Sequence, residues 1–423
     1  MQDIKILREN SDLLIKDLEK RKDKEKIKLA KQVLKLDEDW RKLKYEEDNL
    51  RSQRNSLSRQ VAQLKKQGKD ASKILNEVKS IPAKIKDSEE KRKELETKIR
   101  TILMALPNLM HETVPYGKDD SENVEIKKWG KIKKFDFKLK PHQEVAENLD
   151  VADFERSAKI SGSGWYFLKG KLALLNQALI RFAIDQLVRK KFIYVEPPLM
   201  LNKDAYETGV SIEDFEDVMY KIEGSDQYLI ATSEHPMLAQ FKDEVLKEKE
   251  LPIKLVSYSM CFRKEVGSHG IDTKGLFRTH QFNKIEQIAL CKPEDSYKIL
   301  EEFQENAEEI HKKLELPFRV VNICTGDLGS FAAKKYDIET WMPRQQSYKE
   351  TCSNSNYTDY QARRANIRYE SKGEYNHVHT LNCTAIATSR IMVAILENYQ
   401  NEDGSITIPK VLRPYMYGMK TIK

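Results

Sequence analysis

In CFRKEVGSHGIDTKGLFRTHQFNKIEQ, residues 261–287, two segments alternate apolar and polar residues around a loop with three glycines. Arg263 and Glu265 stand two residues apart, and Arg278, Phe282 and Glu286 share one parity. If the two segments pair as strands, one sheet face holds two arginines, two carboxylates and an aromatic ring. Solvent-facing strands also carry charge. Here, however, the opposite parity is not uniformly apolar, and the loop is long for a simple hairpin. Arginine suits phosphate oxygens, phenylalanine a purine face, and carboxylates an amine or magnesium. That set describes a site for ATP and an amino acid.

The elements that would position these residues are a mixed set. KLALLNQALIRFAIDQLVRKK (171–191) has helical apolar spacing and a basic last turn, and FIYVEPPLM then reads as a strand entering two prolines. Residues 227–232, 253–263, 278–290 and 318–324 are strand-like, 293–316 is helical and acidic, and 387–400 is an apolar helix. Strands following strands predict an α+β fold, an antiparallel sheet with flanking helices. Neither GxxxxGK[ST] nor a strand–GxGxxG–helix pattern occurs.

The first hundred residues differ in kind. Apolar positions from Leu29 to Leu64 recur at alternating spacings of four and three, broken by Glu47 and Arg54. A second such seam runs from Ile74 to Ile102, broken by Ser88 and Arg92. The short KKQGKD between them allows only an antiparallel return, giving a coiled-coil arm over about residues 27–104. Folded about that turn, Glu47 meets Arg92, which supports the register. At about 1.5 Å per residue the arm is on the order of 50 Å long. Its distal part, residues 51–86, holds ten Lys and Arg against Asp70 and Glu77, without an aromatic residue. A solvated coiled coil would also look like this. Clustered cations and no stacking groups favour shape-based contact with an RNA duplex. HETVPYGKDDSENVE (111–125) then reads as a linker, dividing the chain into 1–110 and 111–423.

At 423 residues, more than one domain is expected. The net charge of +7 is uneven: residues 1–100 carry 29 Lys and Arg against 20 Asp and Glu, leaving the rest slightly acidic. No apolar run could span a membrane, and MQDIKILREN has no signal-peptide core. Five cysteines without a CxxC pair fit a reducing cytoplasm better than a disulfide framework.

The opening stretch resembles motif 2 of class II aminoacyl-tRNA synthetases in its seryl form. YVEPPLM (194–200) resembles motif 1, and LNCTAIATSRIMVAILENYQ (381–400) resembles motif 3 in its archaeal-type version. TSE (232–234), SYKETCSNSNYTDYQARRANIRY (347–369), SGSGWYFLKG (161–170) and VLRPYM extend the likeness over essentially the whole chain. The resemblance implies that L-serine is activated with ATP to seryl-adenylate and pyrophosphate, then transferred to tRNA(Ser), with tRNA(Sec) a second candidate. It implies ATP contacts from Arg263, Lys264, Glu265, Thr279, Phe282, Glu350, Thr351, Cys352, Ser353 and Arg390. Arg263 would take the α-phosphate and Arg390 the γ-phosphate, with Phe282 under adenine opposite Arg390. Lys264 and Thr351 would count for their positions more than their side chains. Glu350 and Ser353 would hold Mg2+. Serine contacts would come from Thr232, Ser233, Glu234, Arg263, Glu286, Asn382 and Thr384. QARR (361–364) fits the pattern without an evident chemical role.

In the arm, Arg51, Arg54, Arg59, Lys65, Lys66, Lys69 and Lys73 would meet the tRNA. The family also implies a cytoplasmic homodimer through the motif 1 region, without DNA or membrane partners. A zinc site on Cys261, Cys352 and Cys383 lacks ligand spacing, and the zinc-free pattern is followed, so zinc is not expected. A different functional class stays open, in two kinds. A synthetase-like binding factor would be expected to lose Arg263, Glu286, Glu350 or Arg390, and a carrier-protein-charging relative would lack the arm. A coiled-coil scaffold leaves residues 161–423 unexplained.

Overall fold

The computed structural model describes residues 1–265 and 275–423. Two compact units emerge, Met1–Leu109 and Met110–Lys423.

The first unit is three helices: α1 (Ile4–Lys20), α2 (Lys24–Lys66) and α3 (Ser72–Ala105). Asp23 caps α2 by accepting from the Lys26 amide at 3.0 Å. α2 and α3 form the antiparallel arm, and Arg92 Nε donates to Glu47 Oε2 at 3.0 Å. The expected register is therefore the one adopted. The heptad pattern says nothing of α1, which buries Leu7, Leu14 and Leu18 against Ala30, Val33, Ile102 and Leu103 at the base of the hairpin.

The second unit is built on an eight-stranded sheet of β1 (Val124–Trp129), β2 (Ile193–Val195), β3 (Ile253–Phe262), β4 (Gln281–Cys291), β5 (Phe318–Asn322), β6 (Lys334–Met342), β7 (Ser347–Asn356) and β8 (His379–Ala387). Their order is β1-β5-β6-β7-β8-β4-β3-β2. Every pair is antiparallel except β2 with β3. The helices used below are α4 (His142–Asn148), α5 (Gly170–Arg189), α6 (Glu234–Ala239), α7 (Ser296–Lys313), α8 (Tyr360–Ala365) and α9 (Thr388–Asn398).

Alternation along β4 divides the sheet's two faces. Ile285, Ala289 and Cys291 join the main core with Phe182 of α5, Phe303 and Ile310 of α7, and Ile391 and Ile395 of α9. On the other face Ile288 and Leu290 join a smaller cluster with Met237, Leu238, Ala362 and Ala365 of α6 and α8. That cluster covers one end of the second face. The remainder, beside Phe282, Lys284 and Glu286, is left to the cavity described below.

Three corrections concern the strands. The sequence pattern does not predict β6, β7 and β8 as strands. KKYDIETWM and SYKETCSNSN are too polar to look like central strands, because one face of each serves the cavity. The stretch at 227–232 is a strand only over Gln227–Leu229, and the one at 318–324 only over Phe318–Asn322. Finally, β3 and β4 pair as expected, Cys261 opposite Phe282 and Ser257 opposite Glu286, but the ladder is shorter than 253–263 with 278–290. Arg263 and Arg278 lie just outside it. Glu265 has φ +49°, so strand alternation does not place it. Of the three loop glycines, two lie outside the described residues. Gly275 has φ +77°, and a Cβ there would run into the His142 ring.

Candidate active site

The second face of the sheet floors a cavity of about 420 Å3. β4 supplies Phe282 and Lys284, β8 supplies Asn382 and Thr384, β7 supplies Glu350, Ser353 and Ser355, and the first turn of α9 supplies Ser389 and Arg390. Thr232, Glu234, Arg263, Glu265 and Thr279 line it as well. One detail of β7 is decisive. Residues 350 and 353 would fall on opposite faces of a regular strand. A bulge leaves Thr351 unpaired, so that Glu350 opposes Glu339 while Ser353 opposes Asp337. Glu350 and Ser353 thereby share the cavity face. Thr351 turns toward the helices, its hydroxyl 3.0 Å from His311 Nε2 and 2.8 Å from Thr340 Oγ1.

At one end the site is a buried carboxylate network. Asn382 Nδ2 donates to Glu286 Oε1 at 2.6 Å and to Glu234 Oε2 at 2.8 Å, joining the two acids. Thr384 Oγ1 donates to Glu286 Oε2 at 3.2 Å, and Lys284 Nζ lies 2.8 Å from the same oxygen. Gln361 Nε2 donates to Glu234 Oε1 at 2.6 Å. Burial pushes the Glu234 carboxyl up to about 7, partly opposed by the Gln361 hydrogen bond. Burial, reinforced by the charges of Lys284 and Arg263, pulls His235 down to about 3, so its ring is neutral. Asn382 Oδ1 and His235 Nδ1 are buried without a hydrogen-bond partner. Orphaned polar atoms around a small space are what a polar ligand would satisfy.

The other end is cationic and aromatic. Arg263 Nε donates to the Ala231 carbonyl at 3.2 Å, and its guanidinium lies 5.2 Å from the Phe282 ring centre. Arg390 Nη1 donates to the Glu350 carbonyl at 2.9 Å and stands 3.3 Å from its carboxylate. Enclosure opposes ionisation of Glu350, but Arg390, Lys335 and Arg263 outweigh it and hold the carboxyl below its ordinary value. Burial pushes neighbouring Asp337 up to about 7, against the pull of Lys335. Glu265 and Arg278 approach to 3.8 Å.

Several expected residues are placed differently. Ser233 is fully buried at the start of α6 and does not line the cavity. Lys264 turns outward, its ammonium 5.9 Å from the Tyr220 ring centre. Cys352 points to the core, its Sγ 3.8 Å from Cys383 Sγ. Like Thr351, it can offer the cavity only main chain. The Arg390 guanidinium lies 5.6 Å from the Phe277 ring centre. In the arm, Arg51 is engaged by Glu47 and Glu89, both at 2.7 Å, whereas Arg59, Lys65, Lys66, Lys69 and Lys73 are exposed and Arg54 is half-buried. All five cysteines are free and buried. Among the described residues, no three His, Cys, Asp or Glu side chains gather as a metal cluster.

Lys284, Lys335, Phe277 and Tyr357 also line the cavity and escaped the sequence reading. Lys284 shares the parity of Phe282 and Glu286, which was an available signal. QARR acquires a role as a brace. Gln361 holds Glu234, while Arg364 donates to the carbonyls of Glu207 at 2.8 Å and Val210 at 3.3 Å, fixing a loop of the cavity wall.

The fold is that of a class II aminoacyl-tRNA synthetase: residues 218–399 match the tRNA synthetase class II core domain (G, H, P, S and T). Residues 1–110 match the seryl-tRNA synthetase N-terminal domain. A serine–tRNA ligase of Methanocorpusculum labreanum is 51% identical over 99% of this chain and 100% of its own length. That of Methanospirillum hungatei is 59% identical over 75% of this chain and 76% of its own. The crystal structure of seryl-tRNA synthetase from Pyrococcus horikoshii complexed with ATP superposes with a TM-score of 0.96 at 46% identity, covering 100% of this chain and 99% of the other. The chain belongs to the seryl-tRNA synthetase family.

Proposed function

We propose that the chain is an ATP-dependent serine–tRNA ligase and that its chemistry occurs in the cavity over β4, β7 and β8. The observation that carries this reading is a cavity with an arginine-rich end whose other end is lined by Glu234, Asn382 and Thr384, with Glu286 buried behind them and bonded to Asn382 and Thr384. Serine's carboxylate attacks the α-phosphorus of ATP and pyrophosphate leaves. A ribose hydroxyl of the tRNA's terminal adenosine then attacks the adenylate carbonyl and AMP leaves. In-line displacement at phosphorus needs alignment and neutralised charge more than covalent help. Arg263 would supply this at the α-phosphate and Arg390 at the γ-phosphate, with Phe282 beneath adenine and Glu265 beside it.

Glu286, Thr384, Asn382, Thr232 and Glu234 would take serine's hydroxyl and amine. A pocket that hydrogen-bonds a hydroxyl leaves polar groups unpaired with alanine, and one fitted to serine would exclude threonine's methyl by overlap. Mg2+ would be held by Glu350 and Ser353, where it would supply charge neutralisation to the polyphosphate. The donors fit: both are oxygen ligands on one face, and neighbouring Asp337 Oδ1 is buried without a partner.

The arm would grip tRNA(Ser) through Arg54, Arg59, Lys65, Lys66, Lys69 and Lys73. tRNA(Sec) would be a second acceptor if it offers the same long arm. Two copies would pair about edge strand β2, where Ile193, Tyr194, Leu199 and Met200 are exposed. No helix among the described residues is long and apolar enough to cross a membrane, and the enzyme would work in the cytoplasm.

Serine-dependent ATP–pyrophosphate exchange tests the reading, with alanine, threonine and cysteine as controls. Exchange with serine alone, reduced on the order of 100-fold or more by Glu286→Ala, is the expected result. Absence of exchange from folded protein that still binds tRNA would favour a binding factor instead.

A further inference from the structure

Between β1 and α4 the chain passes through KKWGKIKKFDFKLK, residues 127–140, with seven lysines against one aspartate. The surroundings are not basic: residues 101–423 carry 45 Lys and Arg against 47 Asp and Glu. The lysines fall into two groups. Lys127, Lys128 and Lys140, at the ends, are held by Glu308 at 2.6 Å, Glu125 at 2.9 Å and Glu144 at 3.4 Å. Lys131, Lys133, Lys134 and Lys138, between them, are exposed, and no ion pair among the described residues engages them.

The stretch is anchored, so these charges are presented from a supported backbone. Trp129 stacks on Phe318 at 5.7 Å, and Gly130, at φ +87°, packs so close to Pro317 that a Cβ would sit 2.9 Å from its Cα. Phe135 and Phe137 meet edge to face at 5.5 Å. At the far end the Lys140 amide donates to Gln400 Oε1 at 2.9 Å, and the Lys140 carbonyl accepts from Gln400 Nε2 at 3.2 Å. Two residues on, His142 Nε2 accepts from the Leu276 amide at 3.1 Å, beside the cavity-wall residue Phe277. The lysine segment thus ends two residues before a contact with the neighbour of a cavity-wall residue.

We propose that Lys131, Lys133, Lys134 and Lys138 form an RNA-backbone contact on the catalytic unit, taking phosphates of the acceptor end of the tRNA. The inference rests on the ligase reading, in which a polyanion must bring its end into this cavity. A run of surface lysines is often only a solvated face. Here the flanking lysines are neutralised and the middle four are not: all four are exposed on an anchored stretch without an enclosing pocket, Lys133 with its ammonium 4.6 Å from the Phe135 ring centre and still without a counter-charge. That pattern suits a string of phosphates more than a single small anion.

The test uses the full-length chain carrying Lys131→Ala, Lys133→Ala, Lys134→Ala and Lys138→Ala together. The KM for tRNA in aminoacylation should rise about tenfold or more. The slope of log KM against log salt should fall by about 0.7–0.9 for each phosphate that is no longer neutralised. Serine-dependent pyrophosphate exchange should be unchanged, which also shows that the variant is folded, and replacement of the four by arginine should keep the wild-type KM. Unchanged KM and salt slope would overturn the proposal. Unchanged KM with altered sedimentation would overturn it too, by marking a protein–protein surface. Absence of exchange in the wild type would sink the ligase reading instead, and direct tRNA binding by wild type and variant would still decide this one.

Discussion

Glu234 shows how much one buried acid depends on its surroundings. Its ordinary value is 4.5 and the folded chain raises it to about 7, chiefly by burial. Between those values the native chain keeps a proton that the unfolded chain has lost, so this group's contribution to stability falls as pH rises through the window. Glu234→Gln removes the slope. Thermal denaturation of both proteins from pH 4.5 to 8 should show the variant gaining on the wild type until about pH 7 and level thereafter. His235 and His311, pulled down to about 3 and 4 by burial, favour stability as pH rises toward 6.5. They are common to both proteins, so the difference isolates Glu234. A constant difference across the range would contradict the assignment.

At the scale of elements, the arm's register rests on a buried charge. Glu47 is 1% exposed and is bound by Arg92 and Arg51, so the seam of two long helices is interrupted where slippage would otherwise be inexpensive. Arg92→Ala should cost about 2–3 kcal/mol, because it leaves the carboxylate buried with Arg51 alone. Replacing Glu47 and Arg92 together by leucine should recover most of that. Denaturant unfolding followed by helical circular dichroism measures both, and equal losses in the two variants would show that the pair is not coupled. β7 makes a related point about strands. A single extra residue, Thr351, shifts two oxygen donors onto one face, and the hydroxyl it displaces is satisfied by His311 and Thr340 in the core.

For the whole molecule, the exposed apolar residues Ile193, Tyr194, Leu199 and Met200 gather on and just after the edge strand β2. Ile193, on the edge strand, is 60% exposed, and Met200, in a short strand that follows it, is 45% exposed. Ile193→Asp should convert a dimer to monomers in sedimentation equilibrium and lower pyrophosphate exchange in step with the dimer fraction. A wild-type chain that sediments as a monomer at micromolar concentration would end the dimer proposal.

The sequence by itself determined the arm, its register and the chemical character of the site, because these depend on periodicity and residue type. A heptad seam must bury its a and d positions, and Glu47 had one oppositely charged partner in register. Motif strings likewise carry arginines, a ring and carboxylates wherever the fold puts them. Tertiary structure decided which of those side chains reach the cavity. The bulge at Thr351, the left-handed Glu265 and the outward turn of Lys264 each break the alternation on which reading from sequence depends. The polar central strands β6, β7 and β8 were hidden for a related reason. Their residues answer to partners distant in the chain, Asn382 of β8 to Glu234 and Glu286, and Thr351 of β7 to His311, and no local pattern records such pairs.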